Sequence, residues 1–171
     1  MAKKAAKSAK ELSEALLNPR KNGFFKVSEE KLEKADKFCE GYKAFLDSAK
    51  TERESVEYAV KAAEKHGFVP FDPAHKYAPG DKVYANNRGK ALCLAVIGKE
   101  GCKNGVRIAA AHIDNPRLDL KPIPLYESSE MAYLKTHYYG GNKKYQWTAI
   151  PLAMHGVVIK RDGTCVNVCV G

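Results

Sequence analysis

The sequence contains no uninterrupted apolar run of the roughly 20 residues needed to cross a bilayer, so no membrane partner is expected. No charged-then-apolar leader with a small-residue cleavage site opens it, which argues against secretion. The five cysteines (Cys39, Cys93, Cys102, Cys165 and Cys169) are odd in number and form no CxxC pair. That argues against a disulfide scaffold and fits reduced thiols in a cytoplasmic protein. Cys165 and Cys169 would share one face of a strand, yet at about 3.3 Å per residue they lie too far apart to bridge directly. Also missing are an HExxH helix, a phosphate-cradling glycine loop and a Gly-x-Ser-x-Gly elbow, and nothing supports a serine- or cysteine-based enzyme.

What the chain does have is enough apolar material, 44% of 171 residues, for one ordinary domain with a core. Its formal net charge of +9 raises nucleic acid as a partner. The distribution of that charge argues against it. Four lysines fall in the first ten residues without an acid among them, and much of the remainder is interspersed with Glu and Asp on expected helices. Residues 1–10 are expected to be a basic, solvated tail; a targeting peptide is the weaker reading, because the tail has no Arg.

Leu12, Leu16 and Leu17 predict a short helix stopped by Asn18-Pro19. Ser28 can cap a longer one whose apolar positions, Leu32, Ala35, Phe38, Cys39, Tyr42, Phe45 and Leu46, follow the period of a single buried face. Thr51-Glu52-Arg53-Glu54 is a capping-box sequence, and Gly67 supplies a left-handed stop for the helix it opens. After Phe68 the prolines at 70, 73 and 79 break the chain into loops and β signals take over. Residues 83–85 predict a strand followed by a turn at Asn86-Asn87-Arg88-Gly89. Residues 90–97 read as a strand buried on both sides, and residues 106–111 as a second apolar strand. Two helices and paired central strands predict an α/β fold with helices on a mixed sheet.

Beyond Pro122-Ile123-Pro124, tyrosines cluster with Trp147 around Gly140-Gly141. These aromatics suit a subunit interface or sheet packing better than a substrate pocket. Strands are expected at residues 157–160 and 164–170, joined by Arg161-Asp162-Gly163, since Asp-Gly is a strong hairpin signal. The expected organisation is therefore 1–10 as tail, 11–120 as part of an α/β domain, and 121–171 as the beginning of a β-rich module. A chain ending within an apolar strand reads as truncated.

The residues that carry chemistry are Ala110-Ala111-His112-Ile113-Asp114-Asn115-Pro116-Arg117-Leu118. Residues two apart in an extended segment point the same way, so His112 and Asp114 can converge. A zinc-binding imidazole needs a partner that fixes its tautomer, often a carboxylate. By spacing alone, His112 reads more readily as a hydrogen-bonded loop residue than as a ligand, because a zinc site needs three or four protein ligands and only one is evident. His66 falls at a helix C-terminus and His75 in a loop, while His137 and His155 read as packing or surface residues more readily than as substrate contacts.

The string Ala-His-Ile-Asp-Asn-Pro-Arg-Leu-Asp-Leu-Lys-Pro, from Ala111, resembles the His-x-Asp-x-Pro motif of the aspartyl-aminopeptidase (aminopeptidase I) family. Lys135-Thr-His-Tyr-Tyr-Gly-Gly and Tyr145-Gln-Trp-Thr-Ala-Ile-Pro-Leu-Ala-Met-His-Gly are similar to that family's next block in its bacterial branch. The helix opened by Thr51-Glu-Arg-Glu and closed by His66-Gly67-Phe68 matches the family layout as well. The resemblance implies a metallo-aminopeptidase, a hydrolase that takes single N-terminal residues from peptides with two zinc ions, and it implies a homo-oligomer. It makes His112 a zinc ligand and Asp114 the catalytic carboxylate that orients it. The family's bridging Asp, its Glu-Glu pair, a further Asp and its last His have no counterpart before Gly171, so at most one ligand is present and this chain alone is expected to be inactive. The alternative is a non-catalytic assembly or regulatory module that keeps the family's front half.

Overall fold

The computed structural model describes residues 8–18 and 22–171. Most of the expected basic tail and Pro19, the expected helix stop, lie outside the described residues. The chain divides into two compact units, Met1–Tyr42 and Lys43–Gly171.

The first unit carries α1 (Ala9–Leu16), a 3-10 turn (Gly23–Lys26) and most of α2 (Glu29–Ser48). Ser8 opens α1 with a capping box: its hydroxyl accepts from the Glu11 N–H, and the Glu11 carboxylate accepts from the Ser8 N–H. Residues 9 and 10 of the expected tail are thus the start of a helix. Ser28 stands where expected, its carbonyl accepting from Lys31 and Leu32 at the start of α2. The apolar stripe of α2 is present, but no residue of the helix is buried, and Phe38 is 76% exposed. Periodicity locates the face; near the end of the helix Phe45 packs edge-on against Tyr58, with 5.2 Å between ring centroids.

In the second unit the elements are α3 (Glu52–Lys65), β1 (Val69–Pro70), β2 (Lys82–Asn87), β3 (Ala91–Val96), β4 (Arg117–Ser128), β5 (Met131–Tyr139), α4 (Lys144–Trp147), β6 (Met154–Ile159) and β7 (Cys165–Val170). The Thr51–Glu54 capping box forms as the sequence predicts. At the other end, Gly67 at φ +81° closes a Schellman motif in which Gly67 N–H donates to Glu64 O and Phe68 N–H to Ala63 O.

Strands β1, β2 and β3 form a mixed sheet in that order, with β1 parallel and β3 antiparallel to β2. This is the expected α/β arrangement, because α3 packs on β2 and β3. Ala49, Val56, Ala63 and Val83 are its buried apolar residues, and Tyr84 Oη, donating to Glu64 at 2.9 Å, ties helix to sheet. The turn between β2 and β3 places Arg88 and Gly89 at φ +60° and +66°, which matches the right-handed twist of the strands. β3 is not buried on both faces: Leu94 and Val96 are 48% and 59% exposed.

The expected strand at residues 106–111 is not formed. An apolar run becomes a strand only when a neighbour takes its backbone hydrogen bonds, and none of the described strands lies alongside it. Instead the chain runs irregularly to Pro116 and enters β4, which pairs antiparallel with β5. β4 passes straight through the expected domain boundary at 120/121. Pro122 and Pro124, which cannot donate to a ladder, sit where the register shifts between Leu120 and Leu125. β6 and β7 form the expected hairpin through Arg161-Asp162-Gly163.

The β4–β5 hairpin turns through Ser129 and Glu130, both at positive φ (+54° and +62°) without glycine or asparagine to relieve them. Replacing the pair by Asn-Gly (Ser129→Asn with Glu130→Gly) should raise stability by about 1 kcal/mol, read as an increased urea midpoint. An unchanged or lower midpoint would contradict this account of the turn.

Candidate functional site

His112 and Asp114 lie on the irregular segment just before β4, and the structure brings them together as the sequence expects. His112 Nδ1 is 3.0 Å from the backbone O of Asp114 and 3.2 Å from Oδ1. Both neighbours only accept hydrogen bonds when the carboxyl is ionised, so Nδ1 carries the proton and Nε2 presents its lone pair. The His112 side chain is 83% exposed and that of Asp114 31%.

Asp114 is held in turn by β5. Tyr139 Oη donates to Asp114 Oδ2 at 2.5 Å. That bond, reinforced by the backbone N–H of Asp114 itself and by His112, lowers the Asp114 pKa from its ordinary 3.8. The same bond raises the Tyr139 pKa, because its proton is shared with a carboxylate.

Strand register explains how Tyr139 comes to be there. It pairs with Arg117 across β4–β5, and the Arg117 guanidinium lies 4.3 Å from the Tyr139 ring centroid. Arg117 is anchored on both sides: Nε donates to Asp119 Oδ1 at 2.7 Å, and its terminal nitrogen meets Glu52 Oε1 of α3 at 3.0 Å. Asn142 Nδ2 donates to Arg117 O at 3.2 Å. Gly140 sits at φ +76°, and a Cβ there would come within 3.3 Å of Pro116 Cα, so a side chain would push the end of β5 off the segment carrying His112.

The fit to a zinc site is that of one ligand with its orienting carboxylate. Imidazole with a carboxylate behind it is a usual donor arrangement for zinc. Among the described residues no group of three or more His, Cys, Asp or Glu is placed to hold a metal ion. His66 and His75 are elsewhere: His66 Nδ1 meets Ala62 O at the end of α3, and His75 packs edge-on against Tyr77. His137 stacks on Tyr138. His155 is 2.8 Å from Glu54, a pairing the sequence did not signal because Glu54 already had a role in the capping box. Tyr139, Arg117 and Glu52 were missed as parts of the site for a similar reason. Their contacts depend on strand pairing and helix placement, and spacing along the chain carries no trace of either. The open apolar depression lined by Phe45, Tyr58, Ala59, Ala62, His66 and Leu94 is formed by other residues and has little polar lining to orient a ligand.

A family model described as "Aminopeptidase I zinc metalloprotease (M18)" matches residues 45–168. A probable M18 family aminopeptidase 1 of Clostridium acetobutylicum is 50% identical over 160 residues, covering 91% of this chain and 34% of that relative. The crystal structure of aminopeptidase I from Borrelia burgdorferi B31 superposes with a TM-score of 0.81 at 40% identity, covering 88% of this chain and 37% of that one. Aminopeptidase I from Clostridium acetobutylicum gives a TM-score of 0.76 at 49% identity, with 91% and 35% covered. The chain spans about a third of the length of the curated relatives it matches.

Removing the phenol hydroxyl with Tyr139→Phe should let the Asp114 pKa rise toward 3.8, followed as its carboxyl carbon shift in an NMR titration. In the unaltered chain the Asp114 contacts are fully present above the ordinary carboxylate value and are lost only as pH falls through the lowered folded value. An Asp114 titration unmoved by the substitution would show that Tyr139 does not hold it.

Proposed function

The chain belongs to the aminopeptidase I zinc metalloprotease (M18) family, and from that premise we propose that it is the front part of a hydrolase releasing single N-terminal residues from peptides. In this reading His112 is a zinc ligand through Nε2 and Asp114 is the carboxylate that orients it. The observation that carries the proposal is the chain of contacts Tyr139–Asp114–His112, which fixes the tautomer and aims a free imidazole nitrogen outward.

Bound zinc supplies Lewis acidity, polarising a peptide carbonyl and making water a nucleophile near neutral pH. The contribution of this chain is positional. Asp114 keeps the proton on Nδ1, so the donor nitrogen of His112 is always the same one. Tyr139 favours the ionised carboxylate, and Arg117, pinned by Asp119 and Glu52, holds the Tyr139 ring. The remaining ligands for the two zinc ions would come from sequence corresponding to the rest of the relatives' length.

We further propose a cytoplasmic homo-oligomer acting on peptides. Five free, exposed thiols suit a reducing compartment. Large apolar side chains left in solvent, among them Phe38, Ile108, Ile123 and Tyr145, support burial against further polypeptide, either more of the same protein or other copies. Residues 121–171, which carry three of the exposed strands, are proposed as the assembling module.

The 171-residue chain is expected to bind zinc weakly and to hydrolyse no aminoacyl substrate. Robust zinc-dependent turnover by it would overturn the proposal. In a chain extended to the relatives' length, His112→Ala should lower zinc content and abolish measurable turnover, and Asp114→Asn should cost about 10- to 100-fold in metal affinity or activity. Unchanged zinc content and activity in His112→Ala would remove His112 from the metal site.

A further inference from the structure

A second cluster of reactive side chains forms where α3 meets the β6–β7 hairpin. His155 on β6 and Cys169 on β7 are direct cross-strand partners, and His155 Nε2 lies 3.8 Å from Cys169 Sγ. The other ring nitrogen, Nδ1, is 2.8 Å from Glu54 Oε1. Glu54 reaches this position because its second oxygen, Oε2, is already held by the backbone N–H groups of Lys50 and Thr51 and by the Thr51 hydroxyl.

The protonation pattern follows from that geometry. Burial works against ionisation of Glu54, but the hydrogen bonds it accepts from His155 and Thr51 leave its pKa lowered overall. A carboxylate only accepts, so His155 must donate through Nδ1. Nε2 is left with a lone pair facing the Cys169 thiol, which is the relation of base to nucleophile, with a carboxylate orienting the base.

We propose that Cys169 is a modification site for soft carbon electrophiles, with His155 as its base and Glu54 as the positioning residue that orients His155. In the reaction Cys169 Sγ forms a bond to the electrophilic carbon as the bond from that carbon to its leaving group breaks. The leaving group departs with the electron pair, and the thiol proton passes to His155 Nε2. The other four cysteines serve as internal references, since all five are exposed. Among the described residues none of the other four is paired with an imidazole; Cys165, on the same strand, meets only the Gly163 carbonyl at 4.0 Å.

The test is competition within the chain. The folded protein is treated with limiting iodoacetamide at neutral pH, and alkylation at each cysteine is followed by peptide mass spectrometry. With an imidazole placed to take the thiol proton, Cys169 should react about threefold or more faster than Cys165. In urea the preference should disappear, because it belongs to the folded cluster. His155→Gln and Glu54→Gln should each bring the Cys169:Cys165 rate ratio toward one; loosening of the hairpin alone would speed both cysteines together. Equal rates in the folded wild-type chain would overturn the proposal, as would a preference that persists in urea or a ratio unmoved by His155→Gln. Should the variants not fold, the comparison of folded with urea-treated wild type decides it.

Discussion

The first turn of α3 gathers what would otherwise be separate stretches of chain. Thr51 and Glu54 fix the start of the helix, and three side chains of that one turn then reach outward from it. Glu52 meets Arg117 at the head of β4, Ser55 Oγ donates to Ile113 O beside the histidine, and Glu54 takes His155 from β6. Acidic residues belong at a helix N-terminus, where they offset the exposed N–H dipoles. Here the same residues also receive an arginine and an imidazole from segments far along the chain. Ser55 is 3% exposed, so its hydroxyl is committed to holding the irregular segment in place. A helix start that looks like routine capping is thereby part of the framework for two reactive clusters.

The His112 site is correspondingly layered. The imidazole is exposed, its carboxylate is half-buried, and the groups behind that carboxylate belong to paired strands. Mobility at His112 is therefore checked from the inside, by an aromatic ring stacked under a guanidinium that itself has two carboxylate partners. Such an arrangement gives the exposed imidazole nitrogen a fixed direction without burying it, which suits the metal-ligand role proposed for it.

How much of this was legible in the sequence depends on the range of the interaction concerned. The α3 helix was readable at both ends, from Thr51 to Glu54 and at Gly67, because capping and left-handed stops are local physics. The Asp162-Gly163 hairpin was readable for the same reason. The β4–β5 hairpin was not: Ser129-Glu130 carries no turn signature, and Pro122 and Pro124 argued against a strand that accommodates them at a register shift. The 106–111 run and the α2 stripe were read correctly as apolar but wrongly as paired or buried, since burial depends on a neighbour. In the site, the convergence of His112 and Asp114 was legible from two-residue spacing, whereas the roles expected of them came from the family resemblance. Tyr139 and Arg117 were not, because a 22-residue loop-back in register brings them into contact and no pattern along the chain encodes it.

The prolines of β4 carry a consequence for how copies of this chain can meet. A two-stranded ribbon has two open borders, each a template for strand addition by another molecule. Pro122 and Pro124 remove two N–H donors from β4 and kink it, and the bulge interrupts whatever ladder might form there. β5 has no proline along its nine residues, and its one charged side chain there is Lys135. The hairpin is thus polarised: one border repels templating while the other stays open to it, which gives an otherwise symmetrical ribbon a preferred side for ordered assembly.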